Sequence, residues 1–308
     1  MKILMLWHDL PSPYTGSALP VFNLLRYLGQ KHDITLLSFR EITGESRYTY
    51  DLNQYCEVIE PLSITVPKSL LKQILYTTRN TLSPQNLFSR NLSFFNFYYS
   101  PRMQARIGDL LTARKFDLTY TSTSMAHYVQ NTDLPKVVHS YDCVTEIYRQ
   151  QYLSMRNLAA KFFWWLQYLR MKRYEGNISS KFDARIVVSP QEQKTVLSLF
   201  PSANALVVPN GVDSEFFSPA YQQEEHPSLI FVGDMHYQPN IDAMLHFCSR
   251  IYEKIKKDVP EVKLYIVGRN PTKEIQGLSS DKSVVVTGYV EDVRPYLARA
   301  SVVLAPFV

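Results

Sequence analysis

The sequence predicts an α/β protein made of two doubly wound domains. Short apolar runs of strand length alternate with longer stretches of helical period, the pattern of βαβ units around a mostly parallel sheet. That series restarts after an abrupt strand-ending turn, VVPNGVD at 207–213, and 308 residues exceed what one hydrophobic core usually organises. The boundary falls at 204/205, giving a first domain over 1–204 and a second over 205–308.

KILMLW (2–7) leads through SPYTGS into a helix ending at Gly29, and DITLLSF (33–39) supplies the next strand. FDLTYT (116–121), KVVHSY (136–141) and DARIVVS (183–189) continue the same sheet, with one long helix over about 144–176 between the last two. The stretch 42–100 is rich in Tyr, Asn and Ser and is interrupted by Pro61, Pro67 and Pro84; it reads as an insertion carrying a helix near 67–79, with a further helix over 101–114. Ser189, Pro190 and Glu192 form a capping box with Pro at the first helical position, which starts a helix ending near Phe200. In VVPNGVD, Pro209 ends a strand because it cannot donate to a ladder, and Asn210 and Gly211 tolerate left-handed conformations. The second series then runs SLIFV (228–232), helix 240–257, VKLYIV (262–267), SVVVT (283–287), helix 292–299 and SVVLAP (301–306).

Composition excludes several classes. Apolar residues at 45% and charged residues at 20% are ordinary for a folded chain. A net charge of +5 without dense Lys/Arg clusters argues against a nucleic-acid partner. Five apolar residues between Lys2 and His8 are too few for a signal peptide, and FFWWL (162–166), bounded by Lys161 and Arg170, cannot span a bilayer. Cys56, Cys143 and Cys248 are widely spaced and lack a CxxC pair, as expected of reduced thiols in a cytoplasmic protein. GxGxxG, a phosphate-binding P-loop, HExxH and GxSxG are all missing, and no two aspartates stand two residues apart. Without Asp-x-Asp, a scheme that needs no metal and no cofactor is preferred.

Gly233 follows LIFV, Gly268 follows LYIV and Gly288 follows VVVT, so three of ten glycines mark one edge of the second sheet. Ligands of open α/β sheets lie outside the carboxyl ends of the strands, where glycine lets backbone amides approach a phosphate or sugar. Relief of crowding at strand-to-helix turns is the alternative. Gly16 holds the equivalent loop of the first domain, so the two sheets would face a cleft holding one substrate each.

His139 and Asp142 end the strand KVVHSY, where an imidazole could donate to a sugar hydroxyl or phosphate and a carboxylate could orient a substrate hydroxyl; a satisfied structural histidine is the bland reading. His8 and Asp9 form a similar pair after the first strand, and His236 lies near Gly233, as a ligand contact or a solvated side chain. Arg269, directly after Gly268, could grip a diphosphate through paired hydrogen bonds. Glu291 and Asp292 begin the helix after Gly288, as caps or as ribose or base contacts. ARKF and YLRMKRYEGN mix cations with aromatics, as segments touching anionic lipids would, although a solvated helix face is the preferred reading.

IVVSPQEQ, ALVVPNGVDSEFF, LIFVGDMHYQPNIDA, LYIVGRNP, VVVTGYVEDVRPYLARA and SVVLAP, in this order and spacing, resemble the C-terminal half of group 1 retaining glycosyltransferases of GT-B architecture, and among them the sugar transferases associated with exopolysaccharide export. The likeness is strongest over 182–308, weaker over 1–40 and 136–181, and poor over 42–115. It implies two Rossmann-like domains facing a cleft, a nucleoside-diphosphate sugar bound mainly to the second and a glycan or lipid-linked acceptor bound mainly to the first. It places the donor near Gly233, Asp234, Met235, Arg269, Tyr289, Val290 and Asp292, with the Gly16-Ser17 loop approaching the diphosphate. His139 matches a position where relatives carry His or Asp. Transfer with retention, at the cytoplasmic side or peripherally at the inner face of the plasma membrane, is implied as well.

Two departures qualify the match. Relatives often carry Arg and Lys in the loop after the FVG strand, where this chain has DMHYQPN. The sequence also stops at APFV, before the segment in which the family carries two glutamates, so the resemblance implies an incomplete second domain and weak or no transfer by these residues alone. A nucleotide-sugar epimerase fits the two domains but not the VGRNP and VEDV contexts. A truncated, non-catalytic subunit that binds a nucleotide or a partner is the alternative.

Overall fold

The computed structural model describes residues 1–13, 18–41, 52–59, 61–64, 98–218 and 227–307. The Gly16-Ser17 loop, the helix expected near 67–79 and most of the 42–100 stretch lie outside them. The chain divides into two units, Met1–Gly211 and Val212–Val308.

In the first unit β1 (Lys2–Trp7), α1 (Leu19–Leu28) and β2 (Asp33–Glu41) open the fold, followed by the short strands β3 (Glu57–Val58) and β4 (Leu62–Ile64). Then come α2 (Pro101–Ala113), β5 (Leu118–Ser122), β6 (Lys136–Ser140), α3 (Val144–Ser154), α4 (Leu158–Lys181), β7 (Ala184–Val187), α5 (Pro190–Leu199) and β8 (Ala205–Val207). Sheet order is β3-β2-β1-β5-β6-β7-β8, with β4 beside β2 and every pairing parallel. Both faces of such a sheet are covered, which is why β1 reads as an unbroken apolar run. Ile3, Met5 and Trp7 pack with Val21, Phe22 and Leu25 of α1, while Leu4 and Leu6 face Met103 and Ile107 of α2 and Met171 and Ile178 of α4. The order reverses between β1 and β5, the switch point at which open sheets hold ligands.

The second unit comprises β9 (Ser228–Val232), α6 (Gln238–Phe247), a π-helical turn at Cys248–Tyr252, α7 (Glu253–Asp258), β10 (Lys263–Val267), α8 (Lys273–Gly277), β11 (Val284–Gly288), α9 (Arg294–Arg299) and β12 (Val302–Val303). Its parallel sheet has the order β11-β10-β9-β12, with the reversal beside β9. Phe231, Leu264, Ile266 and Val284 from the strands and Met244, Phe247 and Tyr252 from the α6 region form its core.

Three details differ from the sequence reading. Ala205–Val207 pairs with β7 and closes the first sheet, so the units part at Gly211 and Val212 rather than at 204/205. The long helix expected over 144–176 is two helices, because Met155 and Asn157 are extended and the Asn157 side chain accepts from Ala160 N at 3.0 Å to cap α4. Asn210 and Gly211 turn the chain without adopting positive φ.

Candidate functional site

The carboxyl edge of the first sheet carries an aromatic cluster. Strand alternation puts Trp7 of β1, Tyr120 of β5 and His139 of β6 on one face, and Tyr141 follows directly. Trp7 stacks on Tyr120 at 6.4 Å and meets the edges of His139 at 5.7 Å and Tyr141 at 6.2 Å; His139 and Tyr141 lie 4.9 Å apart. The hydroxyl of Tyr120 and Nδ1 of His139 are 2.7 Å apart. Tyr120 is buried, its ionisation is pushed well up by burial, and its proton has no other acceptor among the described residues, so Tyr120 donates and the histidine hydrogen sits on Nε2. Burial holds His139 down to about 4, a neutral imidazole at pH 7.

Polar atoms are left unpaired at this edge. Among the described residues, Trp7 Nε1, His8 Nδ1, Asp9 Oδ1, His139 Nε2 and the Tyr141 hydroxyl are buried without a hydrogen-bond partner. Each such group costs about 1–3 kcal/mol unless something pairs with it. Donors and an acceptor gathered at a switch point are groups of the kind that hydroxyls satisfy. Burial, opposed by the nearby His8, raises the Asp9 carboxyl, and His8 Nε2 lies 3.6 Å from Asp9 Oδ1.

Asp142 is exposed and takes no part in the His139 hydrogen bond, whose partner is Tyr120. Packed protein at its base still raises its carboxyl. The turn that carries it is fixed from below. Glu175 accepts from Thr145 N at 2.7 Å and Glu192 accepts from Cys143 N at 2.9 Å, so two carboxylates hold the amino end of α3. Glu175 also pairs with Arg185, both sealed from solvent. The capping box at α5 is thus only half made: Ser189 accepts from Glu192 N at 3.1 Å, but the Glu192 side chain is taken by Cys143.

At the carboxyl edge of the second sheet Asp234 and Arg269 meet, Oδ2 to Nε at 2.8 Å. Asp234 Oδ1 accepts from His236 N at 3.1 Å, and Arg269 O accepts from Met235 N at 2.9 Å, so the two loops are laced together. Asp234 and Arg269 are each about one-third exposed, and His236 is exposed. Met235 is fully buried, its side chain in the core and its amide in use, so it offers a ligand neither. The three glycines answer to local structure: close backbone for Gly268, a neighbouring side chain for Gly233 and a left-handed φ for Gly288. A Cβ on Gly268 would lie 1.6 Å from Gly233 O, a Cβ on Gly233 would lie 2.7 Å from Asn240 Nδ2, and Gly288 has φ +69°. Tyr289 is exposed and Val290 half-buried beyond it. Asp292 accepts from Arg294 N at 2.9 Å, and its carboxyl is lowered by Arg294. The Arg294 guanidinium lies 4.0 Å over the Phe216 ring, which ties the start of this unit to α9.

Among the described residues no group of His, Cys, Asp or Glu has the arrangement of a metal site, and no helix is long and apolar enough to cross a membrane. Trp7, Tyr120, Tyr141, Glu175, Arg185 and Glu192 were not singled out as site residues from sequence. The signal for Tyr120 was there in the alternation of FDLTYT, which sets it on the face of the adjacent His139 strand.

Two parallel doubly wound folds in one chain define the GT-B class, and the comparisons with known proteins agree. Residues 15–216 match the model described as Glycosyltransferase Family 4, and residues 226–308 match Glycosyl transferases group 1. The chain is a glycosyltransferase and belongs to glycosyltransferase family 4. No curated protein matches the sequence. Among solved structures, TarM superposes with a TM-score of 0.62 at 13% identity, covering 98% of this chain and 79% of TarM. The E. coli trehalose-6-phosphate structure bound with UDP-2-fluoro glucose gives 0.58 at 10% identity over 98% and 77%. Medicago truncatula UGT71G1 complexed with UDP-glucose gives 0.53 at 11% identity over 97% and 74%. At these identities the likeness is one of fold.

Proposed function

We propose that the chain moves a hexose-type sugar, with retention, from a nucleoside-diphosphate donor to a hydroxyl of a glycan or lipid-linked acceptor in polysaccharide or envelope glycan synthesis, at the cytoplasmic face of the plasma membrane. The observation that carries this reading is the Asp234–Arg269 pair, which joins the loops after β9 and β10 at the carboxyl edge of the second sheet, in a chain of this family. Arg269 presents a guanidinium with one edge held by Asp234 and the other available to a diphosphate. Neighbours of the fold that are bound with UDP-2-fluoro glucose and UDP-glucose support a nucleotide sugar as the donor.

In retention the acceptor attacks the face from which the diphosphate leaves, through a short-lived ion pair, so the leaving oxygens need fixed positive charge and amide donors. Arg269 supplies the charge, without metal or cofactor, and its pairing with Asp234 holds it in place before the donor arrives. In the first unit the neutral His139, with hydrogen on Nε2, and the Tyr141 hydroxyl donate to sugar hydroxyls, and Asp9 accepts. Asp142, on a turn anchored by Glu175 and Glu192, orients the acceptor.

The test is incubation of the protein, at a concentration high enough to register slow turnover, with α-linked UDP, GDP and ADP sugars and a lipid-linked glycan extract. The anomeric proton of the product is read by NMR. An α product from an α donor is expected, and a β product ends the retaining assignment.

A further inference from the structure

The outer side of α4 presents large apolar side chains to solvent. Leu158 is 82% exposed, Phe162 59%, Trp165 40% and Leu169 41%. Spaced by four, three and four residues, they fall within roughly 60° of arc, roughly opposite the side from which Met171, Tyr174 and Ile178 enter the core. Phe162 and Trp165 stack at 5.7 Å, whereas Trp164 turns inward against Tyr148 at 5.6 Å. The run FFWWL is thereby divided between core and surface.

Charge decides what this stripe meets. Helical spacing sets Lys161 and Lys172 along one flank and Arg173 along the other. The one acid of α4, Glu175, is fully buried against Arg185, so the charge this helix shows to solvent is all positive. A second copy docking by the same face would bring like charges together. An anionic bilayer surface instead offers phosphates to the cations and an acyl boundary to the rings, and Lys and Arg stems reach along an apolar stripe to headgroups.

We propose that the outer face of α4 is a docking surface for anionic lipid, with Phe162, Trp165, Leu158 and Leu169 entering the acyl boundary and Lys161, Lys172 and Arg173 meeting the headgroups. It supplies the contact that the proposed lipid-linked acceptor calls for, yet it depends on no step of transfer.

The test is co-sedimentation with vesicles of phosphatidylcholine alone and of phosphatidylcholine with phosphatidylglycerol, at low and high salt. Wild type is compared with Phe162→Ser/Trp165→Ser and with Lys172→Glu/Arg173→Glu; circular dichroism melts verify folding, and nucleotide titration verifies the donor site. The expected result is binding to the anionic vesicles that weakens with salt and falls at least about tenfold in each double variant, with nucleotide binding unchanged. Absence of wild-type binding at low salt, or equal binding by wild type and the Phe162/Trp165 variant, overturns the proposal. So does ultracentrifugation showing that this variant only breaks a dimer.

Discussion

Tyr120 and His139, on neighbouring parallel strands, are joined hydroxyl to Nδ1 at 2.7 Å, which fixes an imidazole whose other nitrogen is buried and has no partner among the described residues. Removing the tyrosine hydroxyl frees the ring to change tautomer. Tyr120→Phe is expected to lower kcat about tenfold to a hundredfold with a smaller effect on donor KM. Steady-state kinetics across a donor series checks this, and an unchanged kcat would take His139 out of the reaction.

The same histidine makes stability depend on pH. Its folded value is near 4, below the ordinary 6.5, so between those values the unfolded chain binds the proton and the folded chain does not. The contribution is complete above 6.5 and is lost as pH falls toward 4, at most about 3 kcal/mol for this one group. His127, also held down to about 4 by burial, acts in the same sense. Thermal melts from pH 7 to pH 4 should show a falling midpoint, and His139→Asn should flatten the slope.

The Glu175–Arg185 pair is buried on both sides and holds the amino end of α3. Glu175→Ala leaves a buried guanidinium uncompensated and is expected to destabilise the first unit by about 3–5 kcal/mol. Urea unfolding followed by tryptophan fluorescence reads it. A loss within experimental scatter would mean that the pair is dispensable.

Gly268 and Gly277 provide a matched pair. Gly268→Ala drives a methyl into Gly233 O and should unfold or strongly destabilise the second unit. Gly277 ends α8, and a methyl added there would meet nothing within 4 Å, so Gly277→Ala should be neutral or stabilise by up to about 1 kcal/mol. Calorimetry on both variants separates a packing requirement from a general intolerance of substitution.

Much of the fold was legible because the signals were local. Alternation marked the strands, and Ser189 with Pro190 marked the start of α5. What stayed hidden was decided by contacts distant in sequence. No local rule assigns Ala205–Val207 to the first sheet, since its partner β7 lies across a helix. No local rule sends Glu192 to Cys143 instead of to its own cap. Glycine at the carboxyl rim was visible, but its reason was not: Gly268 answers to the carbonyl of Gly233, which only the packed loops bring near. His139 was visible as a strand-end histidine, while its Tyr120 partner and Trp7 ceiling needed the sheet order.

The proposed transfer requires the second unit to take a nucleoside diphosphate at the Asp234–Arg269 rim. Isothermal titration with UDP, GDP and ADP measures this directly, on wild type and on Arg269→Ala, whose target side chain is part-exposed and so removable without loss of fold. The predicted result is binding of one of the three nucleotides, weakened about a hundredfold or more in the variant. Failure of all three to bind, or equal binding by wild type and variant, would contradict it.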